Sequence, residues 1–419
     1  RSLSRYFSSE APGWRKPHTA SHMIQRGLFR TALLIFFLTP AFARAEPYRL
    51  PPDMDSLALR GLEAMYRLEF ERAEEAFRKL DEVRPSHPSG SLFLAGLYWW
   101  RSSQDFDLPD KDPSLEKAFR RAIQEGVKKA ERREKWGGSV AERHFYKGMA
   151  YGLMGRWHIL NYRWVRAYYW GSKGHRQLKK AVKGDPELYD AYLGLGIFDY
   201  YAETLPRMLK IPSLLFVRGD KERGLREVDL TLRKGRYNSV EARLFLINTY
   251  NEHERRPQDA MRLAEELMEG DRENLFFSLF KIITLSYLKD WEGLLKEAGD
   301  FVETAERNPQ GAIREQLPLA RLYMGNAAIA LRRPESALRI LTEGIEKASD
   351  PRKGWVGYCR LRRGQAYDIL GEREKALEDY RGVLQRKVFW YEDRDAKKGL
   401  KKAYGHEEVL ALIEAPFNR

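Results

Sequence analysis

The stretch Gly364–Tyr380 (GQAYDILGEREKALEDY) decides the fold that this sequence predicts. Its opening glycine is followed twelve residues later by Ala376, and the bulky Tyr380 comes four residues after that alanine. The same spacing occurs at Gly61, Ala73 and Phe77, and again at Gly325, Ala337 and Leu341. Small residues at the first two positions let two antiparallel helices approach closely, and the bulky third residue fills the seam against the neighbouring pair. A helix pair that repeats in this way predicts an all-α solenoid.

The pattern resembles the tetratricopeptide repeat. Gly364, Tyr367, Gly371, Ala376 and Tyr380 stand at the family's glycine, tyrosine, turn-glycine, alanine and aromatic positions. Partial copies carry Gly148 within a first helix and turn at Tyr146–Gly155, then Leu178, Ala181 and Pro186, then Leu195 and Gly196, and Pro85 falls at a closing-proline position. The resemblance implies a right-handed superhelix of roughly eight to ten helix pairs around a concave groove.

The predicted organisation is one continuous repeat unit over residues 55–405, since each pair of a solenoid mainly contacts its neighbours. Its clearest repeats lie at about 55–88, 142–186, 190–235, 319–349 and 358–390, with poor matches near 90–130 and 204–310. A proline-rich leader covers residues 46–54, and the tail 406–419 is predicted to cap the solenoid.

Residues 23–45 are predicted to be a secretory signal. A basic start with Arg26 and Arg30 precedes the short apolar run Thr31–Leu38, and Ala43-Arg44-Ala45 forms an A-x-A cleavage site. The mature chain would begin at Glu46 and work in the periplasm or cell envelope, and residues 1–22 would be an upstream, non-native extension.

Two alternatives concern the same end of the chain. The basic, serine-rich Arg1–Ser9 is also typical of a mitochondrial transit peptide. An uncleaved Thr31–Leu38 segment would anchor the protein in the inner membrane, although it is short for a helix that spans a bilayer.

The charge balance favours anionic partners. The chain has 74 Lys and Arg against 60 Asp and Glu, a net charge of +14. Residues 1–22 and 23–45 each contribute +3, so a chain cleaved after Ala45 would carry +8. Such a surface attracts phospholipid headgroups, envelope polymers or acidic proteins. No nucleic-acid recognition motif is present, and we predict no nucleic-acid partner.

The sequence predicts no enzyme, no metal and no cofactor. It holds no G-x-x-x-x-G-K-S/T phosphate loop, no H-E-x-x-H zinc motif and no G-x-S-x-G nucleophile motif. The histidines after residue 45 never stand four residues apart, and the carboxylates are scattered. The single Cys359 lies on a predicted repeat helix, where a small buried residue is the simplest interpretation.

The resemblance implies a partner-binding surface on the first helix of each pair. Carried over position by position, it selects Tyr66, Tyr200, Asn326, Gln365 and Asp368 as groove residues. Asn326 and Arg362 also match two positions of the clamp that holds a peptide carboxylate, but Leu322 and Tyr358 replace its lysines and argue against that clamp. The alternative is that all these residues are ordinary groove surface.

An aromatic stretch, Arg156–Trp170, is a second candidate surface. It contains Trp157, Trp164 and Trp170 with tyrosines and arginines, and on one continuous helix the aromatic rings would occupy two faces. Such a face suits an envelope glycan or a partner helix. The alternative is a long repeat helix that its neighbours bury.

An apolar insert, Leu205–Phe216, is the third candidate. Two prolines interrupt it, and Arg207, Lys210 and Arg218 are interspersed, so that it could contact a membrane surface. The alternative is a loop packed on the edge of the solenoid.

The sequence therefore predicts an exported, non-enzymatic scaffold that binds protein or peptide partners in a concave helical groove. The alternative is a protein that binds envelope glycans or lipid surfaces through the aromatic stretch or the apolar insert.

Overall fold

Antiparallel helix pairs make up the chain wherever the structure describes it. The computed structural model describes residues 48–104, 112–204, 219–308, 311–385 and 391–415. All regular elements within those ranges are helical, and eight consecutive pairs confirm the predicted all-α solenoid.

The first four pairs are α1 (Pro52–Tyr66) with α2 (Phe70–Val83), α3 (Pro88–Gln104) with α4 (Pro113–Glu131), α5 (Val140–Leu160) with α6 (Trp164–Gly184), and α7 (Ala191–Thr204) with α8 (Lys221–Lys234). The next four are α9 (Ser239–Glu252) with α10 (Pro257–Gly270), α11 (Leu275–Leu288) with α12 (Trp291–Arg307), and, after the single turn α13 (Gly311–Arg314), α14 (Leu317–Ala330) with α15 (Pro334–Glu346) and α16 (Gly354–Ile369) with α17 (Arg373–Leu384). Two further helices, α18 (Tyr391–Lys401) and α19 (His406–Glu414), follow.

The predicted seam between paired helices is confirmed. A Cβ added to Gly325 would lie 2.5 Å from Leu341 Cδ2, and one added to Gly364 would lie 2.8 Å from Tyr380 Cε1. Gly61 has the same relation to Phe77, Gly148 to Leu178, and Gly196 to Gly224 and Val228. The alanines of the pattern, Ala73, Ala337 and Ala376, are fully buried. The bulky residue thus covers the glycine of its own pair, and Phe77 also stacks on Phe93 of the next pair at 5.2 Å.

Six of the turns between paired helices use one residue with a left-handed backbone. These residues are Leu68, Tyr162, Arg255, Lys289, Arg332 and Gly371, with φ between 53° and 79°. Only Gly371 was predicted as a turn residue. The turn predicted at Gly155 is wrong, because α5 continues to Leu160. Gly155 instead allows close contact between helices, since its Cβ position is 3.1 Å from the backbone nitrogen of Gly171 in α6.

The two helices of a pair differ in how much of their surface is buried. In α14, 12 of 14 residues are buried, whereas in its partner α15 only 3 of 13 are. The second helices bury one face against the first helices and expose the other. The first helix α14 is covered on both sides, so other first helices or end segments must lie against its inner face.

Aromatic side chains fill the interior that the first helices surround. Tyr66 of α1 lies 5.5 Å from the ring of Trp100 in α3 and 6.4 Å from that of Phe277 in α11. Arg67 donates two hydrogen bonds to Asp271, at 2.9 and 2.7 Å, across 204 positions of sequence. These contacts close the interior between the first and sixth pairs.

Two carboxylates hold the turn between α8 and α9: the buried Asp190 before α7, and Asp55 of α1. Asp190 accepts hydrogen bonds from the backbone amides of residues 236–238 at 2.8–3.1 Å. The Arg236 guanidinium and the Tyr237 hydroxyl then both donate to Asp55 of α1, at 2.6 Å each. Burial raises the pKa of Asp190, although the three amides oppose that shift.

Part of the predicted leader at residues 46–54 is helical or packs against the repeats. The helix α1 begins at Pro52, inside the predicted leader, and the backbone amide of Leu50 donates to Tyr237 at 2.8 Å. The ring of Tyr48 packs edge-on against Phe145 of α5, with 6.0 Å between ring centroids. The segment before α1 therefore packs against the inner side of later pairs.

Several predictions lie outside the described residues. They are the extension 1–22, the signal 23–45, the cleavage site before Glu46, the transit alternative at Arg1–Ser9, and the apolar insert with Arg207, Lys210 and Arg218. Within the described ranges, no helix is both long enough and apolar enough to span a bilayer.

Candidate functional site

The six residues selected as groove surface are buried. Tyr66, Tyr200, Asn326, Arg362, Gln365 and Asp368 are each less than 9% exposed. Tyr66 belongs to the interior aromatic cluster. Burial of these side chains contradicts the expectation that they line an open groove, because neighbouring helices already occupy the space in front of them.

Tyr200 takes part in an internal polar contact. Its hydroxyl donates to Glu254 Oε1 at 2.6 Å, and the Lys221 ammonium lies 2.8 Å from the other carboxylate oxygen. Burial, with the neighbouring Glu254 charge, raises the pKa of Tyr200. The side chain thus connects α7 to the turn between α9 and α10, where Glu254 lies, and through Glu254 to the start of α8.

Asn326, Arg362 and Gln365 form one cluster on α14 and α16. Arg362 Nε donates to Asn326 Oδ1 at 2.9 Å, and its Nη1 donates to Gln365 Oε1 at 2.6 Å. Its Nη2 reaches the backbone carbonyl of Leu412 at 3.5 Å. The structure therefore brings these three predicted residues together, but beneath α19.

Asp368 has a structural role. It accepts hydrogen bonds from the Tyr380 hydroxyl at 2.7 Å, from the Tyr404 backbone amide at 3.0 Å and from Arg373 at 2.8 Å. The carboxylate thus joins α16, α17 and the segment that precedes α19.

The helix α19 packs on the inner helices α14 and α16. His406 Nε2 lies 2.8 Å from the Ile329 carbonyl, and Val409 is fully buried. Glu407 pairs with Arg332 at 2.5 Å, and Glu414 pairs with Lys289 at 2.6 Å. The prediction of a polar cap is therefore incomplete, because an apolar face of this helix covers the inner side of the last pairs.

The aromatic stretch is not one helix. The helix α5 ends at Leu160 and α6 begins at Trp164, so the expectation of one continuous helix with aromatic rings on two faces is wrong. Trp157 is buried and stacks on Phe119 at 4.2 Å, as the alternative expected.

The other two tryptophans of the stretch lie on α6 and are accessible to different degrees. Trp164 is 45% exposed. Trp170 is half-buried between Tyr151 and Tyr169, with ring centroids at 5.5 and 5.4 Å. The tertiary fold therefore leaves Trp164, at the start of α6, as the most accessible of the three.

A buried charged cluster that no sequence motif indicated lies between α6, α7 and α8. Asp199 Oδ1 lies 3.1 Å from His175 Nε2, and Asp199 Oδ2 accepts from Arg223 Nε at 2.7 Å. Burial alone would raise the pKa of Asp199, but these two contacts lower it. Burial and the Asp199 charge raise the pKa of Glu227 to about 7. One feature of the sequence could have indicated this cluster: Asp199 is a lone aspartate inside the apolar run Leu193–Tyr201.

The described residues include neither a cluster of metal ligands nor a reactive thiol. Among the described residues, no group of His, Cys, Asp and Glu could hold a metal ion. Cys359 is buried, its thiol donates to the Pro318 carbonyl at 3.4 Å, and burial raises its pKa to about 12. A thiol of that kind is inert, in line with the simple core interpretation.

A cavity of about 200 Å³ lies where the α1–α2 turn approaches the start of α11, lined by Arg67, Glu69, Asn274 and Phe276 among others. Small-molecule sites usually enclose about 300–1,000 Å³ with mostly apolar walls. This smaller, charged recess is a poor match for that class of site.

Comparisons with known proteins give a fold-level resemblance alone. No protein-family model matches the chain, and the search of curated proteins finds no match. Among solved structures, the chain is similar to a tetratricopeptide repeat protein from Parabacteroides merdae, at 10% identity and a TM-score of 0.30, over 84% of this chain and 98% of that one. It is also similar to NprR in complex with its cognate peptide NprX, at 14% identity and a TM-score of 0.42, over 87% and 98% of the two chains.

The TPR domain of P58(IPK) is similar over 86% of this chain and 99% of its own, at 13% identity and a TM-score of 0.21. With TM-scores this low, the fold class rests on the eight helix pairs of the chain itself. The chain is a tetratricopeptide-like α-solenoid whose interior is filled by its own first helices.

Proposed function

We propose that this chain is a non-enzymatic interaction scaffold that binds a helical segment of a protein partner against α14 and α16. The observation that carries the proposal is the position of α19, which already occupies that surface as a short helix of the same chain. The partner segment would take the place of α19.

The contacts of α19 define the kind of segment that fits. Its apolar residues Val409, Leu412 and Ile413 stand at i, i+3 and i+4 and pack on the core of the last pairs. Helices bind to protein grooves through this spacing. Its carboxylates Glu407 and Glu414 pair with cations of the receiving surface. A partner segment should therefore be a short amphipathic helix with aliphatic anchors and acidic flanks.

The covalent link makes α19 a competitor for the same site. A short tether gives a segment an effective concentration on the order of millimolar. A partner segment of moderate affinity would bind the intact chain poorly until α19 leaves. Release of α19 is thus a natural point of control over the scaffold.

The test uses a chain that ends at Gly405 and a fluorescent peptide of residues 405–415. We expect the peptide to bind the shortened chain with a dissociation constant on the order of 10 µM, and the intact chain at least about tenfold more weakly, because the tethered helix competes. A matched peptide with Val409→Asp should not bind, since a buried carboxylate would replace the apolar anchor.

Fluorescence anisotropy measures the binding, and circular dichroism confirms that the shortened chain stays folded. A full-length chain with Val409→Asp provides a second receptor without a deletion. Equal binding of the peptide to intact and shortened chains, or none to either opened receptor, would contradict the proposal.

We also propose that the scaffold works in the envelope of a Gram-negative cell. The support is the signal-like segment 23–45 and its A-x-A site. N-terminal sequencing of the protein from fractionated cells tests this. A mature start at Glu46 in the periplasmic fraction would support export, and retention of residues 31–38 in the membrane fraction would support the anchored alternative.

A further inference from the structure

The outer helix α6 has an unusual charge distribution. Its 21 residues carry six cations and no carboxylate. The cations are Arg166, Lys173, Arg176, Lys179, Lys180 and Lys183. Residues 166, 169, 173, 176, 180 and 183 follow the 3–4 spacing of one helix face, which extends over about 26 Å at 1.5 Å per residue.

Carboxylates are sparse around these cations within the described part of the chain, although the Lys179 charge acts on Glu227 of α8. None of the six forms an ion pair there, although most other outer helices balance Lys and Arg with nearby Glu and Asp. Lys173 instead lies over the rings of Tyr151 and Trp170, at 4.2 and 4.9 Å. Five of the six side chains are exposed. The face therefore has a positive field that the protein itself does not neutralise.

Large apolar side chains are exposed where the α5–α6 hairpin turns. Tyr162, Trp164, Val165 and Tyr169 are 45–56% exposed, and Ile159 at the end of α5 is 42% exposed. Tyr162 occupies the left-handed turn position, with a φ of 54°. Exposed arginines, Arg163 and Arg166, stand among them. The apolar residues thus form the tip of the α5–α6 hairpin, and the cations lie along its second helix, α6.

We propose that α6 and the α5–α6 tip bind the surface of an anionic lipid bilayer. Tryptophan and tyrosine favour the boundary between headgroups and acyl chains, while lysine and arginine along the same helix contact lipid phosphates. This surface lies on an outer helix, apart from the inner surface that α19 covers. The proposal is independent of the proposed scaffold function.

The arrangement favours an extended bilayer surface over a small soluble ligand. A small ligand is usually held in a concave pocket, whereas these aromatic side chains lie exposed at the end of a hairpin. A flat, extended and negatively charged surface can contact the tip and the 26 Å cationic face (about five helical turns) together.

The experiment is co-sedimentation of the full chain with vesicles of phosphatidylcholine alone or of an equimolar phosphatidylcholine–phosphatidylglycerol mixture. We expect binding to the anionic vesicles alone, weakened by added salt. The triple variant Arg176→Glu, Lys180→Glu, Lys183→Glu should reduce vesicle binding by about 100-fold or more, since each cation near an anionic surface contributes about fivefold.

A matched control carries the same charge change on other outer helices. Lys79→Glu, Lys296→Glu and Arg339→Glu alter exposed cations of α2, α12 and α15 that form no ion pair within the described residues. This control should keep at least about a third of the wild-type partition coefficient, because its altered charges stand on helices outside the proposed contact and salt screens charges beyond a Debye length of about 10 Å.

A second variant tests the tip. Trp164→Ala with Tyr169→Ala should lower binding about tenfold while leaving the net charge unchanged. Equal losses in the α6 and control triple variants would overturn the proposal, as would tight binding to soluble heparin or polyglutamate without binding to anionic vesicles. Thermal unfolding shows that each variant is folded before its binding is compared.

Discussion

At the residue scale, glycines determine how closely the helices of one pair approach. A Cβ on Gly224 of α8 would lie 2.7 Å from the Gly196 carbonyl oxygen and 2.8 Å from the Tyr200 nitrogen of α7. Both neighbours are backbone atoms, which cannot move without displacing a helix. By contrast, nothing lies within 4 Å of the Cβ position of Gly299 in α12. The same residue type therefore serves packing at one position and leaves open space at the other.

This contrast predicts opposite effects of one substitution. Gly299→Ala should stabilise the protein by about 0.5–1 kcal/mol, because alanine loses less conformational entropy in a helix. Gly224→Ala should destabilise it by about 1–3 kcal/mol, because the added methyl group overpacks the α7–α8 interface. Urea unfolding followed by circular dichroism measures both values. A stabilising Gly224→Ala would show that the helices separate at little cost.

At the scale of the element, the turns within helix pairs share one backbone geometry but not one residue type. Arg255 and Gly371 stand at equivalent turn positions, with φ of 53° and 79°. A side chain in this conformation costs about 1 kcal/mol relative to glycine. Most of these turns therefore form because the helices on each side pack together, despite an unfavourable residue.

Placing glycine at such a turn should raise the stability of the protein, and removing glycine from one should lower it. Arg255→Gly should raise the free energy of unfolding by about 1 kcal/mol, and Gly371→Ala should lower it by a similar amount. The two variants form a reciprocal pair, to be measured by denaturant titration. If Arg255→Gly proves destabilising, the turn is held by contacts of the arginine side chain instead.

The helix α19 also shows what an element gains from its surroundings. Nine residues are too few for a stable isolated helix in water. The burial of its apolar face at Val409, Leu412 and Ile413 supplies most of that stability, since its exposed ion pairs at Glu407 and Glu414 contribute little. A segment whose helicity depends on one surface is suited to exchange with another segment of similar pattern.

At the scale of the whole molecule, the filled interior changes how the solenoid is stabilised. In an open solenoid each repeat contacts only its neighbours, and stability is a sum of local terms. Here Tyr66 and Arg67 of the first pair contact Phe277 and Asp271 near the sixth. These contacts couple distant pairs. A substitution that destabilises one of these pairs should therefore destabilise the other as well.

Tyr66→Ala tests this coupling. The substitution should destabilise the protein by about 3–4 kcal/mol and leave a cavity among the interior rings. Hydrogen exchange should then accelerate in α11 as well as in α1 and α3. Leu341→Ala is the control, because Leu341 packs within its own pair and should affect mainly α14–α16. Unchanged exchange in α11 after Tyr66→Ala would mean that the interior cluster does not couple the pairs.

Much of the fold could be predicted from local spacing, whereas the candidate sites could not. The Gly364–Tyr380 pattern identified the pairs that carry it, such as α1–α2, α14–α15 and α16–α17, since each member meets a partner a fixed number of residues away. The pairs within 90–130 and 204–310 match it poorly. The break at Tyr162 was missed, because a tyrosine in a left-handed turn has no sequence signal. The buried Asp190 and Asp199 were missed because their partners are backbone amides and charges of other helices.

The sequence by itself determined the all-α repeat, the close approach of paired helices and the cationic face of α6, because each depends on residues within one helix or one pair. Only the tertiary structure decided that the inner helices are buried on both sides and that α19 covers Arg362. The fold includes contacts between residues up to 212 positions apart. No local periodicity specifies which distant helices meet, since that depends on the summed geometry of all the pairs between them.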